Sequence, residues 1–191
     1  MKEKRLETYY ENYDEDQRLA SKHGAVEYLT TMRYIRKYLK TGDKILEIGA
    51  GTGRYSHALA QRGYEVDAIE LVEHNIDIFR SKTQENEKIS IRQENALDLS
   101  GFPSEKYDIT LLLGPMYHLY AMEEQKQALS EALRVTKTGG IVYVAYCGND
   151  ATMIRYGFQQ AMMQSESYRS IVDPVTFKAK TDPQALFVMY R

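Results

Sequence analysis

Glu47-Ile48-Gly49-Ala50-Gly51-Thr52-Gly53 closes an apolar run over residues 44–48 and opens a helix-like stretch over 54–62. Alternating glycines in a strand-to-helix turn let backbone N–H groups and the helix N-terminus approach a ligand closely, because no Cβ intervenes. In an open α/β sheet such a turn lies at the carboxyl ends of the strands, where ligands bind. Working outward, the pattern keeps alternating. Strands are predicted over 65–69, 89–92, 107–113 and 141–147, and helices over 72–83 and 123–135, with Gly63 and Gly139-Gly140 as turns. Strands separated by helix-length segments make βαβ units with right-handed crossovers. The fold class is therefore α/β, a doubly wound, mainly parallel sheet with helices on both faces.

Upstream, Val26, Leu29, Met32, Ile35 and Leu39 recur at three- and four-residue spacings, an amphipathic helix ending at Gly42. A polar, tyrosine-rich stretch with Tyr9, Tyr10 and Tyr13 precedes it. Downstream, residues 151–164 read as helix and 165–180 as irregular. Asp182-Pro183 reads as an N-cap followed by proline at the first helical position. The expected organisation is a helical lead-in or lid over 1–42, a ligand-binding core over 43–150, and a C-terminal helical segment over 151–191. That last segment stops without a C-cap signal and reads as truncated.

Composition narrows the function. A length of 191 residues corresponds to one domain. Lys and Arg number 25 against 27 Asp and Glu, a net charge of -2, without the basic excess of a dedicated nucleic-acid or anionic-membrane binder. With 43% hydrophobic and 27% charged residues, collagen-like, coiled-coil and wholly disordered classes are excluded. The lone cysteine, Cys147, excludes an intramolecular disulfide and a Cys-based zinc site, and it reads as a small buried strand residue. His23, His57 and His74 have no partners at metal-ligand spacing, so no metal is expected. Apolar runs fall far short of the roughly 20 residues a membrane helix needs, and the charged start is no signal core. A cytoplasmic protein without membrane or nucleic-acid partners is the expectation.

Two ligand classes use a glycine turn. A dinucleotide would want G-x-G-x-x-G, yet the sixth place is Arg54 counted from Gly49 and Ser56 counted from Gly51. Glu47 discriminates further, since a carboxylate there repels a pyrophosphate but attracts a ligand carrying an ammonium and a sulfonium. Glu70 ends the second strand 21 residues beyond Gly49, close to the roughly 20-residue offset at which an acid meets ribose hydroxyls.

Residues 47–53 resemble the first motif, E/D-x-G-x-G-x-G, of the class I S-adenosylmethionine-dependent methyltransferases. Asn95-Ala96-Leu97-Asp98-Leu99 resembles that family's D-A-x-D-L segment, with Asn95 where Asp is commoner. Residues 133–140 resemble its L-R-V-L-K-P-G-G turn, with Thr136 and Thr138 in place of Leu and Pro. Leu113-Gly114-Pro115-Met116-Tyr117-His118-Leu119 resembles an L-G-P-x-Y-H-L motif that a subgroup carries after the fourth strand. The likeness covers residues 9–150. It implies a Rossmann-like sheet in order 3-2-1-4-5 and S-adenosylmethionine as cofactor, with S-adenosylhomocysteine as product.

The resemblance also implies roles. Gly49, Ala50, Gly51 and Gly53 lie beneath the cofactor, with Glu47 nearby. Glu70 meets the ribose beside Leu71, Asn95 meets the adenine amino group, and Ala96 supports the ring. Leu113 and Gly114 border the methionine part, and Tyr13 and Arg18 belong to a lid over its carboxylate, a solvated helix face being equally open. His118 faces the expected methyl-transfer position and is a candidate general base, a loop-shaping role being equally open; Tyr117 stands beside it.

Two strands normally follow the fifth in this family. Residues 148–191 offer too little chain, so the final pair is expected to be missing. The fifth strand would then be exposed, covered by the C-terminal segment, or paired with another copy in a homo-oligomer. Methyl transfer to a small-molecule acceptor is the leading reading. An NAD-dependent oxidoreductase and a non-catalytic S-adenosylmethionine-binding regulator remain alternatives. Nucleic-acid methylation is disfavoured because Gly114-Pro115-Met116-Tyr117 stands where N/D-P-P-Y/F would be.

Overall fold

Alternation along β1 (Lys44–Ile48) sends Ile45 to one side of the sheet and Leu46 and Ile48 to the other, each with no exposure. Only a central strand covered on both faces reads that way. In this computed structural model, which describes residues 2–13, 15–180, 182 and 185–190, β1 pairs in parallel with β2 (Glu65–Glu70) and β4 (Tyr107–Leu112). With β3 (Ile89–Gln93) and β5 (Thr136–Val144) outside them, the sheet runs β3-β2-β1-β4-β5 and is parallel throughout, as expected.

Helices cover both faces. Met32 and Ile35 from α3 (Lys22–Tyr38) and Leu59 and Ala60 from α4 (Arg54–Ala60) pack on Ile45, Val66, Ile109 and Leu111. On the opposite face, Ala128, Ala132 and Val135 of α6 (Met122–Val135) meet Leu46, Ile48 and Leu112. Phe79 of α5 (Glu73–Lys82) packs against Ala68 and Ala50.

The polar lead-in folds as α1 (Lys2–Glu11) and α2 (Glu15–Ala20) ahead of α3, helices without a broad apolar stripe. Three later elements depart from the sequence reading. β5 begins five residues early, because Gly139 at φ 82° lets the glycine pair be absorbed into the strand, where the register against β4 shifts between Tyr107 and Ile109. It also ends at Val144, so Cys147 lies outside it and is half-buried. The helix expected over 151–164 is instead α7 (Asn149–Thr152), a π-helical stretch over Met153–Gln159 and a 3-10 turn over Met162–Gln164. A short α8 (Glu166–Ser170) lies within the stretch read as irregular.

The expected last helix is also corrected. Pro183 and Gln184 lie outside the described residues, but residues 185–190 are not helical. They run back to the sheet's carboxyl end, where β7 (Met189–Tyr190) pairs in parallel with β6 (Cys147–Gly148) as a separate two-stranded ribbon. The chain is held there by Val188 N–H on the Tyr117 carbonyl (2.7 Å) and by Tyr190 and Tyr120 hydroxyls on the carbonyls of Met116 (2.8 Å) and Phe187 (2.9 Å). Among the described residues β5 is the outer strand of the main sheet, and its half-exposed residues Ile141–Val144 fit an edge.

Gly53 anchors the start of α4 at φ 86°, and a Cβ there would overlap the Phe79 ring. Gly63 has a similar φ of 90° but open space around it. Gly53→Ala should therefore lose about 2–4 kcal/mol in urea unfolding, combining overpacking with left-handed strain. Gly63→Ala should lose only the strain, about 1–2 kcal/mol. Equal losses would contradict the packing role of Gly53.

Candidate active site

The turn after β1 doubles back tightly. Gly49 and Ala50 N–H both donate to the Ile69 carbonyl, at 2.9 and 3.0 Å, which pulls the turn onto β2. Gly49, Gly51 and Gly53 all have positive φ, a conformation that side chains resist. At Gly49 a Cβ would fall 2.6 Å from the Pro115 ring, so the turn after β1 lays its bare backbone against the proline that follows β4.

Glu70 holds the turn from below. Its buried carboxylate accepts Gly51 N–H at 2.8 Å and Val72 N–H at 3.0 Å, and it also engages the Asn75 side chain. Burial pushes its pKa up, against the lowering effect of those donors. Glu47, buried beside it, accepts a hydrogen bond from the Ser56 hydroxyl. Burial raises its carboxyl to about 8; the Ser56 bonds oppose this and the neighbouring Glu70 charge adds to it.

Above these groups opens a cavity of about 750 Å³. Glu47, Gly49, Ala50 and Gly51 line it from the β1 turn, and Glu70 and Leu71 from the end of β2. Asn95 and Ala96 enter after β3, and Leu113, Gly114, Tyr117 and His118 after β4. Tyr13, between α1 and α2, and Arg18, on α2, complete it. Gly53 alone of the expected residues stays out of the wall; its work is the packing contact with Phe79. Asn95 lines the cavity while its Oδ1 accepts Leu97 N–H at 3.0 Å, so it also shapes the turn.

Arg18 does not stand as a lone cation. Its guanidinium donates to Glu15 (2.8 Å) and to both oxygens of Glu27 (2.7 and 3.3 Å), so two carboxylates already compensate it. Tyr117 stacks on Phe187 at 5.9 Å and 28°, and burial holds its phenol well above the ordinary range. His118 reaches two segments. Its Nδ1 lies 2.7 Å from the Leu186 carbonyl oxygen and its Nε2 3.0 Å from the Tyr10 hydroxyl.

Sequence reading missed several cavity residues. Glu15 precedes Arg18 by three positions on a helix, a spacing that signals pairing. Asn75 lies five residues beyond Glu70 and could be sought as its partner. Phe187, brought in by the returning residues 185–190, and Tyr156, on the π-helical stretch, carry no local signal. Among the described residues no His, Cys, Asp and Glu grouping could hold a metal, and no helix is long and apolar enough to cross a membrane.

A parallel sheet in this order, a glycine turn at its centre and an acid at the end of the second strand define a nucleoside-binding α/β domain. Residues 46–144 match the methyltransferase domain family, and the chain belongs to that family, with the sheet order of the class I S-adenosylmethionine-dependent methyltransferases. It is 31% identical over 123 residues to a demethylmenaquinone methyltransferase of Clavibacter sepedonicus, covering 63% of this chain and 48% of that one. The chain spans about half the length of the curated relatives it matches. A SAM-dependent methyltransferase structure from Methanosarcina mazei superposes with a TM-score of 0.58 at 24% identity, covering 77% of this chain and 74% of the other. For a protein from Pyrococcus horikoshii OT3 the values are 0.65, 22%, 78% and 70%. These last two likenesses bear on the fold.

The residues present fit this cofactor. Gly49 leaves a cradle that a Cβ would fill, and two buried carboxylates, Glu47 and Glu70, suit a ligand with cationic groups and hydroxyls.

Glu47 also makes stability depend on pH. Its folded value of about 8 exceeds the ordinary 4.5, so the fold favours the protonated form. The corresponding stability is complete below about 4.5 and is lost as pH rises through about 8. Glu47→Gln, always neutral, should flatten that loss. Melting temperatures of the ligand-free proteins, compared at about pH 5 and about pH 9, check it. Equal losses in both proteins would contradict the buried, protonated Glu47.

Proposed function

We propose that this protein transfers the methyl group of S-adenosylmethionine to a small-molecule acceptor, working in the cytoplasm and without a nucleic-acid or membrane partner. The observation that carries this reading is the convergence of the cofactor motifs on one cavity, from four different strand ends. The modest net charge of -2 supports a small-molecule substrate over a nucleic acid. In this account residues 1–42 form the lid, 43–150 the cofactor-binding core and 151–191 the remaining wall. The open edge of β5 is where a second copy would pair.

When bound, the cofactor supplies a methyl carbon already activated on a sulfonium sulfur. The protein's own work is then alignment and exclusion of water. Glu70, already met by Gly51, Val72, Leu71 and Asn75, accepts ribose hydroxyls by sharing or displacing one of those donors. Gly49, Ala50 and Gly51 let the methionine end lie close to backbone, and Leu71 flanks the ribose. Asn95 and Ala96 receive the adenine. Leu113 and Gly114 border the transferred group, and Glu47 gives the floor an acid that an approaching ammonium would ionise. Tyr13 and Arg18 close the methionine end, with Arg18 oriented by Glu15 and Glu27. His118 and Tyr117 stand at the acceptor side.

Calorimetric titration with S-adenosylhomocysteine, followed by a metabolite screen with methyl-labelled cofactor, tests the reading. Glu70→Ala should weaken S-adenosylhomocysteine by about 10–100-fold, the scale of one or two charge-assisted hydrogen bonds. NAD should raise the melting temperature much less than S-adenosylhomocysteine does. Unchanged affinity in the variant would remove Glu70 from the ribose, and stronger stabilisation by NAD would overturn the cofactor assignment.

A further inference from the structure

Two remote chain segments close the cavity, and His118 joins them. A backbone carbonyl can only accept, so the 2.7 Å contact to the Leu186 oxygen places a proton on His118 Nδ1. In the neutral imidazole Nε2 is then a lone pair, and the Tyr10 hydroxyl 3.0 Å away must be the donor to it. Leu186 thereby sets the direction of the whole chain, from Tyr10 O–H to Nε2 and from Nδ1–H to the carbonyl. A hydroxyl that donates its proton can still accept another at its oxygen, and Tyr10 lines the cavity.

We propose that Tyr10 Oη receives the proton of the methyl acceptor, that His118 is the positioning residue drawing Tyr10's own proton onward, and that the acceptor is an aromatic hydroxyl; this rests on the methyl-transfer reading. Three of the acids lining the cavity are engaged elsewhere. Glu47 engages Ser56, Glu70 holds Gly51 and Val72, and Glu15 holds Arg18. An alkyl amine would arrive as an ammonium, whose charge calls for a carboxylate, whereas a relay that begins at a neutral phenol suits a neutral hydroxyl, which must lose its proton to become a good nucleophile. The walls suit a flat apolar body: Tyr117 lies nearly parallel to Phe187, while Tyr9 meets Phe187 edge-on at 5.6 Å and 78°.

The step balances within the site. The acceptor oxygen forms a bond to the methyl carbon as the carbon–sulfur pair goes to sulfur. The acceptor's proton passes to Tyr10 Oη, and the Tyr10 proton passes to His118 Nε2, whose Nδ1–H stays on Leu186. One positive charge is present before and one after, on imidazolium instead of sulfonium. Tyr10 gains one proton as it gives up another and so never becomes a phenolate. That agrees with its surroundings, where burial, then Tyr117, Glu15, Glu70 and Tyr9, all disfavour its ionised form. The rings of Tyr10, Tyr117 and Phe187 pack around His118 itself.

The test uses 4-nitrophenol, whose colour reports its own proton, bound to protein saturated with S-adenosylhomocysteine. The bound dye should ionise about one pH unit or more below the free dye. That shift should vanish in Tyr10→Phe, which keeps the ring, and in His118→Asn, whose amide can still donate to Leu186. Nitrogen-15 spectra of the unaltered, histidine-labelled protein should show His118 protonated at Nδ1, with Nε2 accepting. A dye shift equal in the wild type and Tyr10→Phe, no saturable dye binding, or an Nε2–H tautomer would each overturn the relay. Calorimetry separates the two levels. Loss of S-adenosylhomocysteine binding would count against the methyl-transfer reading, whereas intact binding with an unshifted dye would defeat the relay and aromatic-hydroxyl assignment alone.

Discussion

The Glu70 carboxylate is the constraint around which the site is arranged. It sits buried at the end of β2 and gathers the N–H groups of Gly51 and Val72, so two turns that belong to different strands share one acceptor. A buried carboxylate without such donors would be costly, and the turn without the carboxylate would leave N–H groups unmatched. Positive φ at Gly49, Gly51 and Gly53 makes the arrangement possible, and contact of Gly49 with Pro115 extends it to β4. The cavity floor is thus a consequence of how three strand ends are tied together.

The upper walls come from the chain's two remote ends. α1 and α2 bring tyrosines and the Glu15–Arg18 pair, to which α3 adds Glu27, while residues 185–190 return along the turn after β4. His118 connects these pieces through its two ring nitrogens, and the Phe187 ring packs on His118 at 4.9 Å. The aromatic enclosure therefore depends on contacts far apart in sequence, in contrast to the local glycine turn beneath it.

That contrast explains what could be read in advance. β1 to β4 and their helices follow local periodicity, and the glycine turn announces itself by composition, so the sheet order and most of the floor were legible. Motif spacing sets Gly53 beneath the cofactor with the other glycines, because spacing cannot distinguish a glycine that faces a ligand from one that makes room for Phe79. Arg18 was legible as a cavity residue but its two acids were not, because Glu27 is on another helix. β5 and the C-terminal segment depart from local pattern for different reasons. A glycine at φ 82° permits a strand to continue through an apparent turn, and residues 185–190 take their conformation from the surface they lie on. His118 was legible as a candidate base, but its direct partner, Tyr10, depends on α1 folding back over the sheet.

A crystal structure with S-adenosylhomocysteine tests the central claim most directly. The account predicts ribose hydroxyls on the Glu70 carboxylate, the adenine beside Asn95 and Ala96, and the methionine end over Gly49 and Gly51. A ligand bound with its ribose away from Glu70, or outside this cavity, would contradict it.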